Sequence, residues 1–412
     1  MTIRGGSLEK EPLLLLVHRI PYPPNKGDKI RSFHLLKYLS QYYDVYLGAF
    51  IDDPEDKKHI AKVSAYCRET CLVEIHPGKR KLHSLKGFLT NHPLSIPYYK
   101  LTRMQNWVDK IIASKSIKKH LVYSSPMAQY LKKLKNDHIK IIDFVDVDSE
   151  KWRQYSDKHS GLMKFIYARE GKKLLEFEKQ IAADFDCSLF VSKNEAALFK
   201  KLAPDFSHKV YHYSNGVDTT YFSPDVKLDN PYLQHGEQAR IMVFTGAMDY
   251  WANQEAVTWF AEHIFPGIKQ QLDNVYFYIV GSNPSEKIKQ LSKQNGIKVT
   301  GRVADIRPYI AYASLVTAPL RIARGIQNKV LEAMAMAKPV VATRAAMDGI
   351  EKIDHGSSAY TSDSETEMID ICQKILTEGD YNQLGPKGRE LVLEHFSWDS
   401  HLAGISNYLK KQ

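Results

Sequence analysis

Short apolar runs alternate with stretches of helical periodicity along most of the chain. In the first half, residues 13–17, 44–50, 71–75, 120–125, 139–144, 187–192 and 209–214 read as strands. Several of these, Cys187-Ser-Leu-Phe-Val-Ser192 among them, are continuously apolar rather than alternating. That is the pattern of strands covered on both faces in a parallel sheet. Helical segments fall between them, at 30–40, 126–135 and 192–201. A longer one, 161–183, sets Leu162, Phe165, Ile166, Leu174, Phe177 and Ile181 on one side.

The second half restarts the same rhythm. Strands are predicted at 241–245, 275–280, 297–300, 315–318 and 340–343, with helices at 253–263, 285–294, 305–313, 327–336 and 363–377. Between the halves, 215–239 is loop-like, with Gly216, Pro224, Pro231 and Gly236. The chain therefore divides into a first domain 1–214, a linker 215–239 and a second domain 240–386. Amphipathic helices at 387–412 have no strand after them and are expected to return to the first domain. Strand–helix alternation of this kind predicts an α/β fold, two doubly wound parallel sheets. Ligands of such sheets bind at the carboxyl ends of the strands. Two facing edges make a cleft for a small-molecule enzyme, without naming its chemistry.

Length supports this division, since 412 residues at about 150 per domain allow two or three domains. With 43% hydrophobic and 25% charged residues, global disorder is excluded. Four cysteines make no disulfide scaffold. Cys67 and Cys71 lack partners at zinc spacing and read as ordinary thiols of a reducing compartment. The apolar run at 13–17 is too short for a secretion signal or a membrane span, so a cytoplasmic protein is expected.

Charge changes the picture in one place. Residues 79–120 hold ten Lys or Arg against a single acid, Asp109, and account for almost all of the formal net charge of +10. The stretch is either a solvated basic face or a contact for an anionic partner. It matches no RNA-recognition or helix-turn-helix pattern, so nucleic acid is not expected. An anionic membrane surface fits, with the protein peripheral on its inner face.

Three stretches carry candidate chemistry. After the first strand, His18-Arg-Ile-Pro-Tyr-Pro-Pro-Asn-Lys-Gly27-Asp-Lys-Ile-Arg31 is stiffened by prolines and reaches Gly27 just before a helix. It is either a proline-rich connector or a place of close backbone approach, and a single glycine does not make a dinucleotide fingerprint. Asp146-Val-Asp148 reads as a metal-binding pair, a helix cap or a polar group facing substrate. In Ala318-Pro-Leu-Arg-Ile-Ala-Arg324-Gly325-Ile-Gln-Asn-Lys329-Val-Leu-Glu332, a strand ends at Pro319 and Gly325 is expected to open a helix. Free N–H groups at such a terminus bind phosphate. Lys329 is placed to neutralise a diphosphate, and Glu332 to accept hydrogen bonds from a ribose diol.

Together these stretches resemble the GT-B glycosyltransferases of family 4. Asn215-Gly-Val-Asp218, Phe244-Thr-Gly246, Val280-Gly281, Gly301-Arg-Val-Ala-Asp305, Ala318-Pro319-Leu320 and Glu332-Ala-Met-Ala-Met-Ala-Lys-Pro339 carry the resemblance. Pro21-Tyr-Pro-Pro-Asn-Lys-Gly-Asp-Lys-Ile-Arg31, Asp143-Phe-Val-Asp-Val-Asp-Ser-Glu-Lys-Trp152 and Gly246-Ala-Met-Asp-Tyr-Trp251 are similar to the sugar transferases of bacterial exopolysaccharide and PEP-CTERM loci. The resemblance spans roughly 13–400.

It implies two Rossmann-like domains facing a central cleft, the first on the acceptor side and the second holding a nucleotide-diphosphate sugar. It implies a retaining, metal-independent transferase with no other cofactor, acting on a glycan or lipid-linked acceptor. Glu332 matches the second Glu of the family's E-x7-E motif, which holds the ribose. The first Glu is replaced by Arg324. Gly325 and Ile326, followed by Gln327 and Asn328, match the backbone around the diphosphate. Gly246 borders the donor, and Gly27 matches the glycine loop of the first domain. The family's phosphate-clamping base after the first strand of the second domain is absent from Gly246-Ala-Met-Asp-Tyr-Trp-Ala-Asn253. Its charge is assigned to Lys329, with Arg324 or Arg302 as helpers. Asp146, Arg324 and Lys329 are the candidate catalytic residues. Two other readings stay open: a relative acting differently on nucleotide sugars, such as an epimerase or phosphorylase, and an inactive nucleotide-sugar-binding subunit, suggested by Arg324.

Overall fold

The apolar run at 13–17 lies inside strand β1 (Glu11–Val17), where all five residues are completely buried. A computed structural model describes residues 10–24, 27–132, 134, 137–323, 326–348, 350, 355–378 and 383–410. The chain forms two units, Met1–Asn215 with Leu402–Gln412, and Gly216–His401.

In the first unit, β1 is followed by β2 (Tyr43–Ile51), β3 (Glu69–Glu74), β4 (Lys119–Tyr123), β5 (Ile139–Val145), β6 (Cys187–Phe190) and β7 (Val210–His212). They form one parallel sheet in the order β3-β2-β1-β4-β5-β6-β7. The second unit contains β8 (Arg240–Thr245), β9 (Val275–Val280), β10 (Ile297–Gly301), β11 (Leu315–Ala318), β12 (Val340–Ala342) and β13 (Tyr360–Thr361). These are also parallel, in the order β10-β9-β8-β11-β12-β13. Continuous apolar strands follow from this arrangement, because helices cover both faces of each sheet and leave no wet side.

The α/β class and the doubly wound sheets are as the alternation predicted. Several local expectations are corrected. Within the segment 126–135, the described residues Ser125–Leu131 form a tighter 3₁₀ turn rather than an α-helix. Pro126 lacks an N–H, and Gln129 Nε2 donates to the carbonyls of Pro126 and Ile96. Strand β13 is only two residues long and gave no periodic signal. The basic stretch contains four helices, Pro77–Ser84, Lys86–Thr90, Ser95–Tyr99 and Thr102–Ser114. In the long helix Gly161–Asp184, Leu174, Phe177 and Ile181 are buried, whereas Leu162 and Phe165 face solvent.

The domain boundaries also shift. Residues 216–239 group with the second unit rather than forming a separate linker. Tyr232 anchors them: it is buried, and its hydroxyl donates to the Tyr309 carbonyl at 2.8 Å. The C-terminal segment divides instead of returning whole. Helix Leu384–His395 stays with the second unit. Gly385 and Gly388 let it press on backbone, since a Cβ there would stand 2.0 Å from the Ala337 oxygen and 2.9 Å from the Ser358 oxygen. Only the residues from Leu402 onward join the first unit, with Tyr408 against Tyr211 at 4.9 Å between ring centres.

Candidate active site

The second sheet reverses its direction of growth at β8. From there the chain adds β9 and β10 on one side, then β11, β12 and β13 on the other. Connections leaving β8 and β11 part at this point, and the crevice beyond their carboxyl ends is where open α/β sheets take ligands. The edge there is built of glycine. Gly246 follows β8, Gly281 follows β9, and Gly301 ends β10 at φ 71°. A Cβ at Gly281 would lie 1.7 Å from the Gly246 oxygen, so only glycine lets these two loops touch. Gly246 N donates to the Val280 carbonyl at 3.0 Å, and Met248 N to that of Ser282 at 2.7 Å.

Lys329 reaches this edge from the other side of the switch point. It lies in the first turn of the helix Asn328–Ala335, which follows β11. Its Nζ donates to Asn253 Oδ1 at 2.6 Å, while Asn253 Nδ2 donates to the Ala247 carbonyl at 2.8 Å. The ammonium stands 4.2 Å from the centre of the Phe244 ring and 3.2 Å from where a Cβ at Gly246 would be. Glycine at 246 thus leaves room for the cation. Burial lowers the Lys329 ammonium to about 7, with the Glu332 carboxylate acting against that shift. Burial likewise raises Glu332 to about 7, opposed by Lys329. An apolar wall that disfavours charge, a lysine with no carboxylate hydrogen-bonded to it among the described contacts, and a helix start together suit an anionic ligand.

The first sheet reverses between β1 and β4, and a polar network collects at that edge. His18 stacks on Tyr123 with ring centres 5.8 Å apart, and its Nε2 lies 3.5 Å from Asp28 Oδ2. Arg19 spans Asp28 and Asp52, at 2.7 and 2.8 Å. Burial works against the charge of Asp28, but the hydrogen bond from His18 and the Arg19 guanidinium hold it well below the usual carboxylate range. Beneath them Arg31 is completely buried. It donates to Asp143 Oδ2 at 2.9 Å, to the Tyr213 carbonyl at 3.0 Å and to Asn215 Oδ1 at 2.9 Å, with its guanidinium 3.6 Å above the Tyr213 ring.

Asp146 and Asp148 follow β5, whose last residue, Val145, adopts φ 72°. That is a strained conformation for a β-branched residue. One side chain, Lys151, bridges the two carboxylates at 2.6 and 3.2 Å. Burial raises Asp148 above its ordinary value, against the pull of Lys151. The pair does not cap the helix Asp148–Lys158 through its side chains. Glu195 accepts from Val147 N at 2.7 Å, and Glu178 accepts from Ser149 N and Oγ at 3.3 and 2.6 Å. Burial pushes Glu178 up to about 8, so that carboxyl holds the helix start as a largely neutral group near pH 7.

The structure brings Lys329 and Gly246 together and sets Glu332 one turn beyond Lys329 on the same helix. That helix begins at Asn328, not at Gly325; Arg324 and Gly325 lie outside the described residues. Gln327 occupies the position before the helix, and its carbonyl accepts from Val330 N at 3.0 Å. Asn328 is exposed, and Ile326 is partly buried against the core. Arg302 is exposed beyond β10. No contact joins it to Lys329 among the described residues. Gly27 starts the helix Gly27–Tyr42, and a methyl group on it would meet nothing within 4 Å. Sequence reasoning missed Asn253, although it closes the stretch noted for lacking a base. It also missed the pairing of Arg31 with Asp143, which lie in separate motifs of the resemblance.

Comparison with known proteins supplies the context for this geometry. Residues 239–378 match the family of glycosyl transferases group 1, so the second unit carries a domain of that kind. No curated protein matches the chain. Among solved structures, HepE of Anabaena in complex with UDP is 16% identical, with 97% of this chain and 99% of that one covered and a TM-score of 0.61. Sucrose-phosphate synthase of Thermosynechococcus elongatus is 17% identical over 97% and 98%, also at 0.61. An E. coli structure described as trehalose-6-phosphate bound with UDP-2-fluoro glucose is 12% identical over 98% and 100%, at 0.63. At these identities the likeness establishes the fold, the two doubly wound units of the GT-B class.

Proposed function

We propose that this chain is a retaining glycosyltransferase that moves a sugar from a nucleotide-diphosphate sugar to a glycan or lipid-linked acceptor in cell-surface polysaccharide synthesis. The observation that carries the reading is the Lys329 ammonium, set by Asn253 at the glycine edge beyond β8 and at the start of a helix. Cleavage of a donor sugar leaves a diphosphate, and negative charge grows on it in the transition state. A fixed cation and helix N–H groups aimed at that charge lower the barrier. Since the ammonium supplies the positive charge, transfer proceeds without a divalent metal in this reading. Gly246 and Gly281 let the donor approach backbone, and Glu332 takes the ribose hydroxyls. Gly27, where a Cβ would meet nothing within 4 Å, is where the first unit lets a ligand approach its backbone. Asp146, tethered by Lys151, is the polar group offered to the acceptor. Uridine nucleotides are the first donors to try, because the HepE and E. coli structures hold UDP or a UDP sugar.

The Glu332 contact gives the test. Glu332→Gln keeps the shape but removes the charge that strengthens hydrogen bonds to a ribose diol. A charge-assisted hydrogen bond contributes about 1.5–3 kcal/mol against about 0.5–1.5 for the neutral bond that Gln keeps, so the Kd for a nucleoside diphosphate is expected to rise about five- to tenfold. Calorimetric titration checks it, and an unchanged Kd removes Glu332 from the site. A second reading, a binding subunit without turnover, rests on Arg324 standing where the resemblance places a Glu. It predicts nucleotide-sugar binding with no release of nucleoside diphosphate in the presence of acceptor.

A further inference from the structure

We propose that the first unit docks on an anionic lipid bilayer through an apolar stripe formed by residues 77–90 and the start of the helix Gly161–Asp184. The surface deepens the acceptor reading given above but does not depend on sugar transfer.

Two exposed apolar sets meet there. Helices Pro77–Ser84 and Lys86–Thr90, with Leu85 between them, present Leu82, Leu85 and Phe88 at three-residue spacing, 72%, 52% and 40% exposed. Helix Gly161–Asp184 opens with Leu162 and Phe165, 74% and 70% exposed, before its later apolar residues turn to the core. Arg169 joins the two sets. Its Nη2 donates to the Gly87 carbonyl at 2.8 Å, and its guanidinium lies 4.6 Å from the centre of the Phe88 ring. Phe165 is four residues before Arg169, on the same side of the helix. Apolar residues at helical spacing ordinarily face a core. A continuous apolar set facing water marks a surface made for contact.

Charge decides what covers it. There is no acid from residue 75 to 108, nor from 158 to 169. Lys79, Lys81, Lys86 and Lys164 are all exposed around the apolar side chains. The basic stretch as a whole is not one free face. Arg80 is spent on the carbonyls of Pro97, Tyr98 and Lys100, and Lys118 and Lys119 are paired with Asp137 and Glu11. Leucine and phenylalanine at the centre with lysine at the rim form the composition of an element lying in a bilayer interface. Among the described residues no helix is long and apolar enough to cross a membrane, so attachment on this surface is peripheral.

The test is flotation of the purified full chain with vesicles of phosphatidylcholine alone or with phosphatidylserine added, at low and high salt. Binding is expected to the mixed vesicles, weakened by salt. Leu85→Glu with Phe165→Glu, and separately Lys79→Glu with Lys81→Glu, are each expected to lower partitioning about tenfold or more. Both leave the melting temperature and the stabilisation by nucleotide unchanged, since every altered side chain is exposed. Equal binding to neutral and mixed vesicles, or undiminished binding by both variants, overturns the proposal. So does a loss of self-association in the variants with vesicle binding intact, which makes the stripe a contact between protein copies.

Discussion

Lys329→Met is expected to raise the Kd for a nucleotide sugar by about a hundredfold or more, because losing a buried partner of an ionised group costs about 2–5 kcal/mol. Methionine keeps an apolar stem of similar bulk and removes the ammonium, with its place over Phe244 and its hydrogen bond to Asn253. The pH dependence separates this role from packing. Burial brings the ammonium down to about 7 in the free protein, so it is largely charged below that value and neutral above it. A bound diphosphate favours the charged form and raises its pKa. Affinity therefore falls as pH rises through 7, and the fall ends once pH passes the pKa of the bound state. A nucleotide sugar is the proper probe, since its diphosphate stays ionised throughout that range. The part of the slope belonging to Lys329 is the part that vanishes in Lys329→Met. An identical slope in both proteins contradicts the assignment.

Asp143→Ala is expected to destabilise the first unit by about 3–5 kcal/mol, the cost of leaving one member of a buried ion pair alone. Arg31 and Asp143 are both completely buried, and the Tyr213 hydroxyl also donates to Asp143. Removal of the carboxylate strands a guanidinium with, among the described contacts, two neutral acceptors, the Tyr213 carbonyl and Asn215 Oδ1. Denaturant unfolding measures the loss, and a midpoint unchanged from the parent protein refutes it. Replacing both partners, Arg31→Met with Asp143→Leu, should cost less than the single change, since no buried charge is then left unpaired. The pair ties the helix that Gly27 opens to the end of β5.

How far the sequence foretold this can be judged from particular residues. Strand positions were legible because both faces of each sheet are covered, which leaves uninterrupted apolar runs such as those of β1, β8 and β9. Tyr360–Thr361 was not, because two residues carry no period. Leu162 and Phe165 shared a helical stripe with Leu174 and Phe177, and periodicity alone cannot say where the core ends along a helix of 24 residues. At the site, Lys329 stood out by following a strand end and a glycine. Its partner Asn253 did not, because the two are 76 residues apart and meet only through the neighbouring of β8 and β11. Arg31 and Asp143 are 112 residues apart for the same kind of reason.

The measurement that bears most directly on the central claim is a thermal-shift titration of the full chain with uridine, guanosine and adenosine diphosphates and their sugars, with and without EDTA. A ligand that binds only the native state stabilises it by mass action, about 2.7 kcal/mol at a hundredfold excess over Kd. The donor site proposed around Gly246, Lys329 and Glu332 predicts a clear rise in melting temperature with one base, the same in EDTA, and absent in Lys329→Met. No shift with any nucleotide, or one that survives Lys329→Met unchanged, would contradict it.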